Sequence, residues 1–213
     1  MRKKSVYAFI DASNLFYGGL KSLGWRIDYW KLLRYLKEKY GVKKAFYFAG
    51  VEIYEFPYSI LKNQQIDLEK LLIFLQRKFT KSKKHLNDKE TSLLKRNIQR
   101  TKFYLNLKEF GYILRLKPVK IYKDENGKIT KKANCDVDMT FEIMRLLNQY
   151  SEIVFLSGDG DFTPLLKYLI KKGKKVIVLA RSERTAKEIR QIAKGNFRDF
   201  NYLREILKFG PRK

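Results

Sequence analysis

Short apolar runs alternate along this chain with stretches whose apolar residues recur at helical spacing, and that alternation leaves few folds open. The runs are residues 5–10, 44–49, 153–156 and 175–180. Parallel strands need a crossover long enough to hold a helix, so strands that alternate with helices predict an α/β fold, a mostly parallel central sheet flanked by helices. Asp28 is placed to cap a helix carrying Trp30, Leu32, Leu33, Leu36 and Tyr40, with Gly41 ending it. Helical patterns also cover 136–150, with Val137, Phe141, Met144 and Leu147, then 162–172, closed by Gly173, and 185–194. Residues 60–110 read as helical with a polar break near 81–88. Strand-like segments at 112–116 and 119–122 lead to the turn Asp124-Glu125-Asn126-Gly127, so a hairpin is expected at about 118–131. No repeat or low-complexity linker divides the chain. The expectation is one domain, 1–213, with a basic, mostly helical insertion at about 60–102.

With 213 residues and 45% hydrophobic content, a buried core is within reach. No stretch approaches the roughly 20 apolar residues of a membrane span, and Met1-Arg2-Lys3-Lys4 passes straight into a strand-like run, so a soluble, cytoplasmic protein without a membrane partner is expected. A single cysteine, Cys135, and a single histidine, His85, rule out a disulfide framework, a Cys/His zinc site and a histidine acid/base pair. Carboxylates are the main catalytic candidates left. The formal net charge of +25, from 47 Lys and Arg against 22 Asp and Glu, points to a polyanionic partner, nucleic acid first. Between residues 77 and 102 ten basic residues face two acids, Asp88 and Glu90. Arg77, Lys78, Lys81, Lys83 and Lys84 there, with Lys131 and Lys132 near the hairpin, are the candidate phosphate contacts. Phe16, Tyr17 and Trp25, read as a loop after the first strand, are the candidate stacking residues.

Against that basic background, acids gather at three places. Asp11 follows the first strand, Asp136 and Asp138 open a helix, and Asp159 and Asp161 stand in Ser157-Gly158-Asp159-Gly160-Asp161-Phe162 after the run at 153–156. In parallel sheets, sites form beyond the carboxyl ends of strands, where Asp11 and Asp159 fall. Mg²⁺ and Mn²⁺ prefer oxygen ligands, and a bound ion would relieve the repulsion among clustered carboxylates. Such an ion lowers the pKa of a water for attack on phosphorus, which is phosphodiester hydrolysis. Asn14 and Ser157 suit the positioning of a metal-bound water or a carboxylate. Two helical positions two residues apart lie roughly 160° from each other around the axis, so Asp136 is the expected ligand, and Asp138 and Glu142 belong to another face.

Three segments resemble signatures of one family. Phe9-Ile10-Asp11-Ala12-Ser13-Asn14-Leu15, Lys132-Ala133-Asn134-Cys135-Asp136-Val137 and Leu156-Ser157-Gly158-Asp159-Gly160-Asp161-Phe162, the last followed by Pro164-Leu165, look like those of the NYN domain, LabA-like group of PIN-like nucleases. The resemblance implies a PIN-like three-layer fold and a metal-dependent ribonuclease using Mg²⁺ or Mn²⁺. Its acidic cluster maps onto Asp11, Asp136, Asp159 and Asp161, and Asn14 matches the asparagine of the first motif. The partner so implied is RNA, with DNA and a homodimer left open. The chain departs from the family where three residues separate Lys132 from Asp136, and in the length of its basic stretch.

Other readings fit less well. A haloacid-dehalogenase-like phosphatase wants a second acid two residues after its nucleophile, where this chain has Ser13. A dinucleotide-binding fold wants a third glycine where Thr163 stands, and two aspartates would repel a pyrophosphate. The remaining competitor is a non-catalytic RNA-binding or adaptor module using the same fold and basic surface.

Overall fold

The computed structural model describes residues 5–18, 24–53, 55–59, 65–82, 87–123 and 129–210. Its strands are β1 (Val6–Asp11), β2 (Val42–Val51), β3 (Ile113–Pro118), β4 (Lys120–Lys123), β5 (Ile129–Lys132), β6 (Glu152–Leu156), β7 (Lys175–Ala180) and β8 (Phe197–Asp199). Its helices are α1 (Ala12–Gly18), α2 (Tyr29–Tyr40), α3 (Leu68–Ser82), α4 (Asp88–Phe110), α5 (Asp136–Arg145), α6 (Thr163–Lys171), α7 (Lys187–Ala193) and α8 (Arg204–Leu207). Six strands form one sheet in the order β3-β2-β1-β6-β7-β8, and β4 pairs with β5 antiparallel. The pairs β1 with β2, β1 with β6, β6 with β7 and β7 with β8 are all parallel. The α/β, mostly parallel architecture expected from the alternation is the one observed.

The chain divides into two compact units, residues 1–49 with 135–213, and residues 50–134. In the first, β1 has partners on both sides and all six of its residues are buried. That explains why it reads as an unbroken apolar run rather than an alternation. Phe9 stacks on Phe46 with ring centroids 5.1 Å apart. Both caps of α2 stand where the sequence places them: Asp28 accepts from the backbone N–H of Trp30 and Lys31, and Gly41, at φ 67°, closes the helix. Leu32, Leu33 and Leu36 supply its buried face.

In the second unit, α3 packs against α4 around Leu71, Leu75, Leu94 and Leu107. A capping box between Asn87 and Glu90 starts α4, and Gly111, at φ 101°, ends it. The turn at 124–127 and residues 60–64, 83 and 84, with His85, lie outside the described residues.

Several expectations need correction. Residues 12–18 are a helix, because the Asp11 carboxylate caps the backbone N–H groups that follow, so Phe16 and Tyr17 belong to α1 and not to a loop. Trp25 is buried, at 5% exposure, and so is core rather than a stacking platform. The helix expected at 136–150 stops at Arg145, where a turn brings the buried Tyr150 back so that its hydroxyl donates to Ile143 O at 3.1 Å. The helix expected from 185 starts at Lys187 after a short 3-10 turn. Among the described residues no helix is long and apolar enough to cross a membrane.

Candidate active site

Parallel registers decide which residues meet at the carboxyl edge of the sheet. Ile10 of β1 pairs with Leu156 of β6, so Asp11 and Ser157 leave adjacent strands at the same level. Asp11 is 5% exposed. Its Oδ1 accepts from Ser13 N at 2.9 Å, Ser13 Oγ at 2.6 Å and Asn14 N at 3.3 Å, the pattern of a helix N-cap. Its Oδ2 accepts from Ser157 Oγ at 3.1 Å, so one carboxylate joins two strand ends. Asn14 Oδ1 adds a second link by accepting from Gly158 N at 3.1 Å.

Ser157 is fully buried, and its hydroxyl also accepts from Asp159 N at 3.3 Å. Asp159 Oδ1 in turn accepts from Asp161 N at 3.0 Å, which starts the short 3-10 turn Gly160–Phe162. Phe162 anchors this loop by packing its buried ring on Phe155 of β6, with centroids 5.0 Å apart. Asp159 is thereby left half-buried and Asp161 exposed.

A third strand end completes the edge, and the motifs in the sequence did not reveal it. Arg181 follows β7, is 7% exposed, and pairs with Glu183 at 3.0 Å. Thr185 Oγ1 donates to Arg181 O at 2.6 Å, and Ala186 N donates to Gly158 O at 2.9 Å. The turn after β7 therefore holds the Ser157–Phe162 loop from the side opposite Asp11. The available signal was positional: Arg181 stands directly after a buried apolar strand, as Asp11 and Ser157 do.

The structure brings Asp11, Asn14, Ser157 and Asp159 into one hydrogen-bonded network, with Asp161 at its rim. Asp136 begins α5, which packs against β1, and is half-buried. Asp138 is exposed, and Glu142 is buried with its carboxylate clasped by Arg145 at 2.8–3.0 Å. Asp138 and Glu142, expected on one face of α5, thus differ in burial. Among the described residues no three Asp, Glu, His or Cys side chains converge as a ready-made metal cage. The donors at the strand ends are all oxygens, carboxylates of Asp11 and Asp159 beside a hydroxyl and an amide carbonyl. Such a set fits a hard cation that keeps several waters and uses one or two carboxylates, and does not fit a thiophilic metal.

Within the second unit, Arg77 and Lys81 are exposed on α3, whereas Lys78 is bound to Glu55 at 2.7 Å. Lys83 and Lys84 lie outside the described residues, and Lys131 and Lys132 close β5.

The NYN domain model matches residues 55–201. The chain belongs to the NYN domain family. The matched span contains Asp136, Asp159, Asp161 and Arg181, whereas Asp11 and Asn14 precede it. The chain is 26% identical to the low amplitude and bright protein LabA of Synechococcus elongatus over 211 residues, covering 97% of this chain and 89% of that protein. Among solved structures it is similar to a Vibrio parahaemolyticus protein of unknown function, with a TM-score of 0.63, 17% identity and 97% of each chain covered. That likeness shows the fold, and the fold places the three strand ends of this NYN chain on one edge.

Proposed function

We propose that this NYN protein is a metal-dependent ribonuclease whose centre is the carboxyl edge built by Asp11, Ser157 and Asp159. The observation carrying the reading is the bond of Ser157 Oγ to Asp11 Oδ2, which fixes a buried carboxylate between two strand ends beside a half-buried second one. Gathering acids at one edge of a strongly cationic chain serves phosphodiester chemistry better than polyanion binding alone. Asp11 and Asp159, with Asp136 and Asp161 as further ligands, would hold Mg²⁺ or Mn²⁺, and the bound ion would supply an activated water and neutralise charge on the scissile phosphate. Ser157 and Asn14 orient the carboxylates and the Gly158 backbone. Arg77 and Lys81 of α3, and Lys131 and Lys132, would hold RNA phosphates.

Two observations favour the second reading, a non-catalytic RNA-binding module. Asp11 Oδ1 is already taken by three hydrogen bonds, and no three acids converge among the described residues. The two readings separate on cleavage of end-labelled single-stranded RNA with Mn²⁺, Mg²⁺ or EDTA, with an Asp159→Asn protein alongside. Metal-dependent products bearing 5′-phosphates, absent in the variant, support hydrolysis. Binding by both proteins with cleavage by neither transfers the assignment to the binding module.

A further inference from the structure

The C-terminal segment of the first unit lies across the start of α2. Asp28 N donates to Leu207 O and Phe209 N to Arg26 O, both at 2.8 Å, while Ile27 and Lys208 form an antiparallel bridge. Lys31 Nζ reaches Lys208 O at 3.0 Å. This join is well made, yet it leaves large aromatics outside. Tyr202 is 86% exposed, Phe209 58% and Trp30 36%.

Two of these rings carry guanidinium groups. Arg34 lies over Trp30 at 4.9 Å and Arg26 over Phe209 at 5.3 Å. An arginine held on one face of a ring pre-positions a charge for a phosphate and leaves the other face of the ring for a base. Exposed rings interleaved with Arg26, Lys31, Arg34 and Lys208 match a single strand in both charge and chemistry.

We infer that the surface formed by the start of α2 and the C-terminal segment binds single-stranded nucleic acid, stacking bases on Trp30, Tyr202 and Phe209. A duplex keeps its bases in its own stack and offers them to no ring, so the surface discriminates by strandedness. A second copy of this chain is a poorer occupant, since it brings another net +25 against the same cations. The surface is also aligned with the acidic edge. Tyr29, the first residue of α2, packs its ring against Tyr47 at 5.8 Å, and Tyr47 pairs in register with Ile10, the residue before Asp11. A strand stacked along the start of α2 therefore lies at the level of the site.

The chain reports on this surface itself, because it has two tryptophans and Trp25 is buried. Titration with a short oligouridylate in EDTA, so that nothing is cleaved, quenches the fluorescence of the wild type. Trp30→Phe, which keeps a ring at an exposed position, keeps the affinity and loses the quenching. Phe209→Ala and Tyr202→Ala each weaken oligouridylate binding about tenfold with little change for duplex RNA, and with melting temperatures held because both rings are exposed. Oligouridylate binding without quenching overturns the inference, as do Ala variants that bind like wild type. Concentration-dependent self-association abolished by Phe209→Ala, without quenching, overturns it in favour of a second copy. Because no catalysis is involved, cleavage without quenching removes this surface alone, and quenching without cleavage removes the ribonuclease reading alone.

Discussion

Thr185 occupies the space that a side chain on Gly158 would need. A Cβ built on Gly158 falls 2.6 Å from Thr185 Oγ1 and 2.9 Å from Thr185 Cα. The second distance is to backbone, so trimming Thr185 to alanine does not make room. The close approach is what lets Gly158 O accept from Ala186 N and brings the turn after β7 onto the acidic loop.

Gly158→Ala is therefore expected to displace the loop that carries Asp159. Overpacking of this kind costs about 2 kcal/mol, or roughly 4–8 °C in Tm for a chain of this size. Calorimetry of Gly158→Ala and of Gly158→Ala/Thr185→Ala checks it. Full rescue in the double variant would show that the Thr185 side chain alone sets the limit.

Asp11→Asn separates charge from architecture. Asparagine caps a helix about as well as aspartate, so α1 keeps its start, but its NH2 cannot accept from the buried Ser157 hydroxyl as Oδ2 does, and Tm is expected to fall by roughly 2–12 °C. The buried negative charge is gone, and metal-dependent RNA cleavage should fall at least a hundredfold while RNA affinity is unchanged or higher. Ser157→Ala should lower stability by about 1–3 kcal/mol, because it leaves Asp11 Oδ2 and Asp159 N without their buried partner, and should lower cleavage as well, because the carboxylates lose the group that orients them. A cleaving Asp11→Asn protein with unchanged rate would remove Asp11 from the site.

The basic helices give a graded test. Arg77 and Lys81 are exposed, but Lys78 is engaged by Glu55. Replacing Arg77 and Lys81 with glutamine should flatten the slope of log K against log salt by about 0.7 for each single-strand phosphate that is no longer neutralised. Lys78→Gln should change that slope less than either. Equal effects from all three would mean that the ion pair opens on binding.

Much of this was legible in the chain because single residues carry strong local signals. Asp28 and Gly41 mark both ends of α2 by capping chemistry, and the strand at 175–180 is an unbroken apolar run from Val176 to Ala180, all of it buried. Asp11, Ser157 and Asp159 could be grouped because parallel strands deliver their following residues to one edge. What escaped was structure fixed by long-range packing. Strand β8 is three residues long, and α8 is four, too short for any period to register. Thr185 and Arg181 have ordinary surface chemistry in the sequence, and only the register of β7 beside β6 brings their turn against Gly158. Trp25 looked available beside Phe16 and Tyr17, and burial decided otherwise.

Tyr150 supplies a pH dependence whose sign is fixed. Its ring is 3% exposed beside Tyr7 and Phe9, and burial raises its hydroxyl well above the ordinary tyrosine pKa of 10.0. Below pH 10 both folded and unfolded chains keep the proton, and the contribution is fully present. Above it the unfolded chain ionises first, so stability falls as pH rises toward the higher folded pKa, by about 1.4 kcal/mol per pH unit for this one group. Tyr150→Phe removes that dependence and also the hydrogen bond to Ile143 O, at about 1 kcal/mol near neutral pH. Denaturant unfolding of both proteins from pH 7 to 11 should thus give curves that start apart and converge above pH 10. Tyr29 and Tyr40, whose hydroxyls are also raised by burial, keep part of the alkaline loss in the variant. Curves that stay parallel throughout would mean that the Tyr150 hydroxyl reaches water in the folded protein.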